Sequence, residues 1–401
     1  METVCHWTRV ALLLLAAMSP ARAGTWIVDQ NGGPGVHFTD IPPAISAAVA
    51  GDVILVRGGT YSPFSLNKGL AIIGRTGAAP TGTVIAASTP ATTITIPAGE
   101  LGLLCDLTLT KLSIIQSAGV VVTDRVVWTS LTASQSADVR IHRSPSKEVL
   151  MTNSHFEIAS STLNGSFGTD AIRILGSSQG LVARTSCRGG NGRDAQLFDP
   201  NDAESGGAGI SLWFLGQMPT LVLAGGDVST IQGGDGGWHP NGNHGWDADG
   251  FLNYMSGGWR SGCTFIPGNR IGNGAIGVRH LAGPGSFDMQ VDPNDPTLEL
   301  VGTPSYGESV LLNVYATPGS TVRVNLGSPL IQPTPGVRVD KLVSPDSTLL
   351  LGVVPQSGVV SQLIYFRREF SPGRAVFAQA FMGDVVAQET RRTNSVPLIM
   401  R

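Results

Sequence analysis

The order of apolar and polar residues is most informative over Val36–Tyr61, VHFTDIPPAISAAVAGDVILVRGGTY. Ile41, Ile45, Ala48 and Val49 recur at helical spacing and give one apolar side to a short helix. Asp40 precedes it as an N-cap, and Pro42 and Pro43 fall in the first turn, where a missing N–H costs little. Gly51 is placed to close the helix in the left-handed conformation. Val53–Val56 then reads as a strand buried on both faces and bounded by Gly58-Gly59.

Beyond residue 61 the pattern changes. Short apolar runs recur at irregular intervals: Leu70–Ile73, Thr93–Ile96, Leu107–Ile115, Val120–Trp128, Val139–His142, Ala171–Leu175, Leu181–Ala183, Gly209–Phe214 and Thr220–Leu223. Turn residues separate them, no fixed period emerges, and no convincing amphipathic helix follows residue 51. Short strands that bury a face only by stacking on neighbours predict a parallel β-helix of degenerate coils, with the first helix covering its open end. Lone arginines along these strands read as solvated edge residues.

From residue 306 the alternation is that of antiparallel strands, as in Val310–Val314, Thr321–Val324, Gln362–Phe366 and Ala375–Gln379. The expected organisation is a secretory signal peptide at 1–23, a β-helix at 24–283, a Pro- and Asp-rich linker at 284–305 and a small β-sandwich at 306–401. Arg9, the apolar run Val10–Met18 and Ala21-Arg22-Ala23 carry the signal-peptide reading, and with it a secreted or cell-surface location.

The opening stretch resembles the first turn of right-handed parallel β-helix proteins of the pectin-lyase-like superfamily. Ala44-Ile45, Gly51-Asp52, Ile54, Val56 and Gly59-Thr60-Tyr61 carry that resemblance. It implies an all-β fold, a right-handed parallel β-helix with an N-terminal capping helix, followed by a small antiparallel β-sandwich. It leaves chemistry open, because enzymes and non-enzymes share the pattern. Gly373, Gln379-Ala380 and Asn394-Ser395 are similar to a C-terminal module found in exported bacterial proteins, with a structural or attachment role.

Composition narrows the partners. Among 401 residues there are 52 glycines and 25 prolines, aromatic content is 6%, and the net charge is −3 without a basic run. Nucleic acid and anionic membranes are disfavoured, and no stretch after the leader is long and apolar enough to span a bilayer. Cys105, Cys187 and Cys263 have no zinc spacing. Cys105 reads as a core residue, and Cys187–Cys263 is the candidate disulfide.

Two Gly-rich segments, 188–209 and 232–250, resemble each other at a separation of about 44 residues. At roughly 20 residues a coil they would leave the same side of the stack two coils apart. Gly189–Asp194 matches the start of a nonapeptide calcium repeat, which makes Asp194, Asp199, Asp202, Asp235, Asp247 and Asp249 the candidate Ca²⁺ ligands. Trp238, Trp246 and Trp259, with His244, are candidate glycan contacts; the bland reading of the tryptophans is that they anchor the loops to the flank of the stack.

The superfamily's polysaccharide enzymes set the alternative. Gly168-Thr169-Asp170, Asn243-His244-Gly245 and Arg270-Ile271-Gly272 echo a polygalacturonase site, without its paired aspartates or lysine. Asp170, Arg173 and Arg184 are the residues a lyase-like site would use. The reading adopted is an exported, non-catalytic β-helix protein that binds polysaccharide or a cell-envelope glycan through the 188–260 loops and requires no cofactor. The alternative is a polysaccharide lyase or hydrolase.

Overall fold

The computed structural model describes residues 23–74, 83–85, 91–194, 204–213, 219–224, 230–235, 251–253, 259–261, 264–266, 278–280, 289–290, 296–304, 308–329, 347–365, 375–383 and 390–399. The fold is all-β with a single short helix among these residues. Three sheets, here A, B and C, are parallel throughout. Sheet A has eleven strands from Thr25–Val28 to Met289–Gln290, and sheet B has eleven from Gly59–Tyr61 to Val278–His280. Sheet C has five, from Pro145–Ser146 to Thr264–Ile266.

From Asp138 onward the chain visits the sheets in a repeating order. Asp138–His142 lies in A, Pro145–Ser146 in C and Glu148–Thr152 in B; His155–Ala159 then returns to A beside the first. Such an order is compatible with the coils expected from the sequence. Alternate residues point inward, so Ile54, Ile72, Leu104, Val121, Ile141 and Ile158 of sheet A meet Leu109, Leu131, Met151, Ile174 and Leu212 of sheet B in one buried cluster.

The corners reveal a regularity that the apolar runs hide. After sheet A, Asp106, Arg125, Arg143, Ser160 and Arg184 all have φ between 46° and 56°. After sheet B, Gln116, Gln135 and Asn153 do the same at 48° to 51°. Left-handed backbone costs a non-glycine residue about 1–2 kcal/mol, so these positions need compensation. Each N–H donates to the strand-end carbonyl of the next coil: Arg125 to His142 at 3.0 Å, Arg143 to Ala159 at 3.1 Å and Gln135 to Thr152 at 2.9 Å.

The residue after each such corner is often a buried serine or threonine. The Ser144 amide donates to Ser161 Oγ at 3.1 Å, and the Ser161 amide to Thr185 Oγ1 at 3.3 Å. The Ser136 amide likewise reaches Ser154 Oγ at 3.1 Å, and the Ser154 amide Ser178 Oγ at 3.2 Å. These hydroxyls satisfy amides that leave the strand ladder at a bend, where a buried orphan would otherwise cost about 1–3 kcal/mol.

Ile41–Ala47 is helical, with Ile41, Ala44 and Ile45 buried in the same cluster as the coil interior. Asp40 Oδ1 accepts from the Ile41 amide at 2.8 Å and from the Ser62 amide at 3.1 Å. The expected closure at Gly51 is replaced by an earlier one. Ala48 is already extended (φ −70°, ψ 152°), which turns Val49 outward to 64% exposure. Asp52 explains the stop: its carboxylate accepts from the amides of Val49 (3.0 Å) and Gly24 (2.6 Å) and from Trp26 Nε1 (2.9 Å). One buried carboxylate thus ties the helix end to the first strand.

Near the C-terminus the sheets become antiparallel. Thr297–Val301, Ser309–Tyr315 and Val359–Tyr365 form one; Ser347–Val353, Thr321–Gly327, Ala375–Gly383 and Thr390–Ile399 form the other. Leu298, Leu312 and Val314 of the first share a buried cluster with Val322, Val324, Ala380 and Leu398 of the second. The strand Thr297–Val301 falls within the segment expected as a linker and pairs with Ser309–Tyr315.

This C-terminal module sits on the outer face of sheet A. Phe377 and Ile399 pack into a buried cluster with Val53, Ile73, Leu103, Val120 and Val122. Where the coils turn polar, the contact turns polar too. Glu157 accepts from the Ser395 amide at 2.7 Å and from Ser395 Oγ at 2.8 Å. Arg143 reaches the carbonyls of Gly302 and Pro397, and Arg184 bonds Glu299 at 3.2 Å. The arginines expected to be solvated are therefore partly or wholly withdrawn from water. Arg140 is fully buried, held by Asp138 at 2.6 Å and lying over the Phe377 ring.

Candidate functional site

The outer face of sheet B is not covered by the C-terminal contacts described above. Its strands alternate as half-buried strands must, and the outward positions carry hydroxyls, charge and aliphatic carbon in register across coils. Ser113, Thr132, Leu150, Arg173 and Ser211 form one row; Ile115, Ser134, Thr152, Leu175 and Trp213 form the next. A cavity of about 190 Å³ opens on this face, lined by Ser130, Thr132, Glu148, Leu150, Thr169, Asp170 and Arg173 among others.

Asp170 organises one wall. It lies in the turn before the strand Ile172–Leu175, and its carboxylate accepts from the Ala208 amide (2.8 Å), Ser211 Oγ (2.5 Å) and Arg173 Nε (3.0 Å). Ser211 in turn accepts from Trp213 Nε1 at 3.0 Å, and the Arg173 guanidinium lies 5.5 Å from the Trp213 ring centroid. Asp170, Ser211, Trp213 and Arg173 thus form a closed ring of contacts that fixes the indole on the outer face. Thr169 and Glu148 complete the polar lining.

A glycoside hydrolase needs two carboxyl groups free to exchange protons on either side of the bond. Here Asp170 is committed to three donors, one of them a backbone amide. Arg173 is ion-paired with Asp170 and lies over the Trp213 indole. What remains is a wall of hydroxyls, amphipathic side chains and one fixed aromatic face, suited to the alternating polar and apolar surfaces of a sugar.

The Gly-rich segments border this site, and their arrangement differs from expectation. Arg188 and Gln232, 44 residues apart, are partners on adjacent strands of sheet C. The segments therefore lie one coil apart rather than two, the 44 residues between these partners making a single, longer coil. Their backbones pack directly: the Gly207 amide donates to the Gly190 carbonyl and the Gly234 amide to the Gly207 carbonyl, both at 2.8 Å. A Cβ on Gly189, Gly190 or Gly234 would run into the backbone of Gly207, Ser166 and Gly190 respectively. Glycine is required there by close approach.

Of the sequence-predicted ligands, Asp194 is exposed at the edge of this stack, and Asp235 is bonded by Arg188 at 3.4 Å with its amide on Asn191 Oδ1. Among the described residues no group of three His, Cys, Asp or Glu side chains is placed to hold a metal ion. Trp259 begins a strand of sheet A beside Leu221 rather than standing on a loop. Trp238, His244, Trp246, Asp199, Asp202, Asp247 and Asp249 lie outside the described residues, as does Cys263. Cys105 and Cys187 are both buried, as a core reading of Cys105 requires. Arg184, the third lyase candidate, stands at the C-terminal junction, away from Asp170 and Arg173.

Sequence reasoning paired Asp170 with Arg173 but missed Ser211, Trp213 and Glu148. The available signal was the alternation in Ile210-Ser211-Leu212-Trp213: Ile210 and Leu212 join the interior cluster, while Ser211, itself buried, and half-buried Trp213 take the alternate positions. Compared with protein-family models, curated proteins and solved structures, the chain matches none of them.

Proposed function

We propose that this is an exported, right-handed parallel β-helix protein of the pectin-lyase-like kind that binds a polysaccharide on the outer face of sheet B without cleaving it. A strand–crossover–parallel strand connection is right-handed in about 98% of cases, which supports the hand. The helix Ile41–Ala47, buried on one side against the first strands, supports a capping role. The leader-like residues 1–23 support export.

The observation that carries the binding reading is the Trp213 indole, pinned by Ser211 and Arg173 beside a hydroxyl-lined cavity. The glycine stack at 189–192, 206–207 and 233–234 would form the rim of that surface, so the loops favoured from sequence border the site. The test is a glycan-array and reducing-end-release screen on residues 24–401, run beside Trp213→Ala. Binding without release of reducing ends, lost in Trp213→Ala, is the expected result. Release of reducing ends or unsaturated products would replace this reading with that of a lyase or hydrolase. Equal binding by Trp213→Ala would move the site elsewhere.

A further inference from the structure

The outer face of sheet A carries a set of ionisable side chains in consecutive coils that the binding reading does not use. Asp124, Asp138, Arg140, His142 and Glu157 are all buried there. In register, Arg140 stands beside Glu157, and His142 stands between Asp124 and Ala159. The C-terminal module presents Ser395 to Glu157, the Phe377 ring to Arg140 and the Pro397 carbonyl to Arg143, the corner residue next to His142.

Arg140 and Asp124 have ion-pair partners. Arg140 is engaged by both Asp138 oxygens, with Nε at 3.0 and 3.1 Å and Nη2 at 2.6 Å. Asp124 receives Arg143 at 2.7 Å and Arg125 at 3.0 Å. Glu157 is left with the amide and hydroxyl of Ser395, a pair that a neutral carboxylic acid satisfies as well as a carboxylate. Its hydroxyl can donate to Ser395 Oγ while its carbonyl accepts the amide. His142 has neither ring nitrogen hydrogen-bonded and faces Arg140 and Arg143, so a proton there would add a third positive charge in a dry site.

We propose that Glu157 and His142 are an opposed proton pair that keeps the seating of the C-terminal module level across weakly acidic pH. The signs follow from linkage. Burial pushes Glu157 up from 4.5 to about 7, against the pull of Arg140 and Ser395, so the seated state holds a proton that the open state releases. Seating by this group is strongest below 4.5 and weakens as pH rises to about 7. Burial, then Arg140 and Arg143, hold His142 well below 6.5; opening would relieve the burial while both arginines stay, so the open state takes up a proton there more readily than the seated one. Seating by this group weakens as pH falls below 6.5. Across the overlap a proton leaves Glu157 on opening while His142 takes one up, so the two slopes oppose each other.

Hydrogen exchange at the Ser395 amide, corrected for intrinsic rates, reads the opening in the full chain; the Leu112 amide in the coil interior serves as reference. Wild type should change by less than about threefold between pH 5 and 7. Glu157→Gln should open progressively toward acid and His142→Phe toward alkali, each approaching the limit of about tenfold per pH unit that one proton sets. Slopes of the same sign, two flat variants, or Leu112 losing protection together with Ser395 would overturn the proposal. Should a variant not fold, carbon-13 titration of wild type decides. Glu157 titrating near 7 with His142 neutral throughout supports the pair, and ordinary titration of either refutes it.

Discussion

The Arg184 guanidinium lies 3.9 Å from the centroid of the Tyr315 ring, while its Nη2 bonds Glu299 at 3.2 Å. Arg184 belongs to a left-handed corner of the coils and Tyr315 to a strand of the C-terminal module. Tyr315 Oη also donates to Glu299 Oε2 at 2.7 Å, so three side chains from two modules close on one another. Separately expressed halves, residues 24–290 and 296–401, should therefore associate in solution. Arg184→Ala should weaken that association by about 2 kcal/mol, the scale of a desolvated cation–π contact with a charge-assisted hydrogen bond. Calorimetric titration of one half into the other measures it. Halves that ignore each other would mean that the covalent connection alone holds the modules together.

A methyl group at Gly190 has no room, because the Ser166 backbone occupies the space a Cβ needs. Gly190→Ala should push apart three stacked segments and lower stability by several kcal/mol, beyond the about 1–3 kcal/mol usual for overpacking, since the obstacle is backbone. Gly383, where an added Cβ meets nothing, is the control. Gly383→Ala should melt within a degree or two of wild type, and equal effects at the two sites would discredit the stack.

Ile45→Asp places a carboxylate where Ile45 is only 5% exposed, against the interior of the first coils. Losing a buried aliphatic side chain costs about 2–5 kcal/mol before the charge is counted. The variant should aggregate on heating and bind a hydrophobic dye. If it stays soluble and equally stable, the helix covers nothing.

Asp52 gives a test in acid. Burial raises its pKa, but the hydrogen bonds from Trp26, Val49 and Gly24 outweigh that and hold it below the ordinary 3.8. The folded state then binds fewer protons than the unfolded one in this range, so the contribution is present above pH 3.8 and lost as pH falls through the lowered value. Asp52→Asn should be less stable than wild type at pH 6, with the gap narrowing below pH 3.8. Thermal melts across that range decide; a constant gap would mean that Asp52 acts by shape alone.

The strands were legible because burial on both faces leaves continuous apolar runs, as at Val53–Val56, and one-sided burial leaves alternation, as at Thr321–Val324. The coil repeat was hidden because its marks are polar. Asp106, Arg125, Arg143 and Ser160 are spaced by 19, 18 and 17 residues and share only a backbone conformation. Long insertions then stretch later coils, so a 44-residue separation that looks like two turns is one. The arginines misled for a related reason: Arg140, Arg143 and Arg184 lie on strands or corners whose outer side would be wet, had a second module not settled on it. No local pattern announces contacts made 255 residues away, such as that of Arg140 with Ser395.

Seating the C-terminal module on sheet A gives the molecule two unlike flanks. One carries the module; the other carries the cavity of sheet B and its fixed indole. If the module attaches to a cell envelope, attachment also sets direction. On the binding reading proposed above, the sheet B cavity would then stand on a different flank from the anchor, and copies side by side would leave that flank open to a passing fibre.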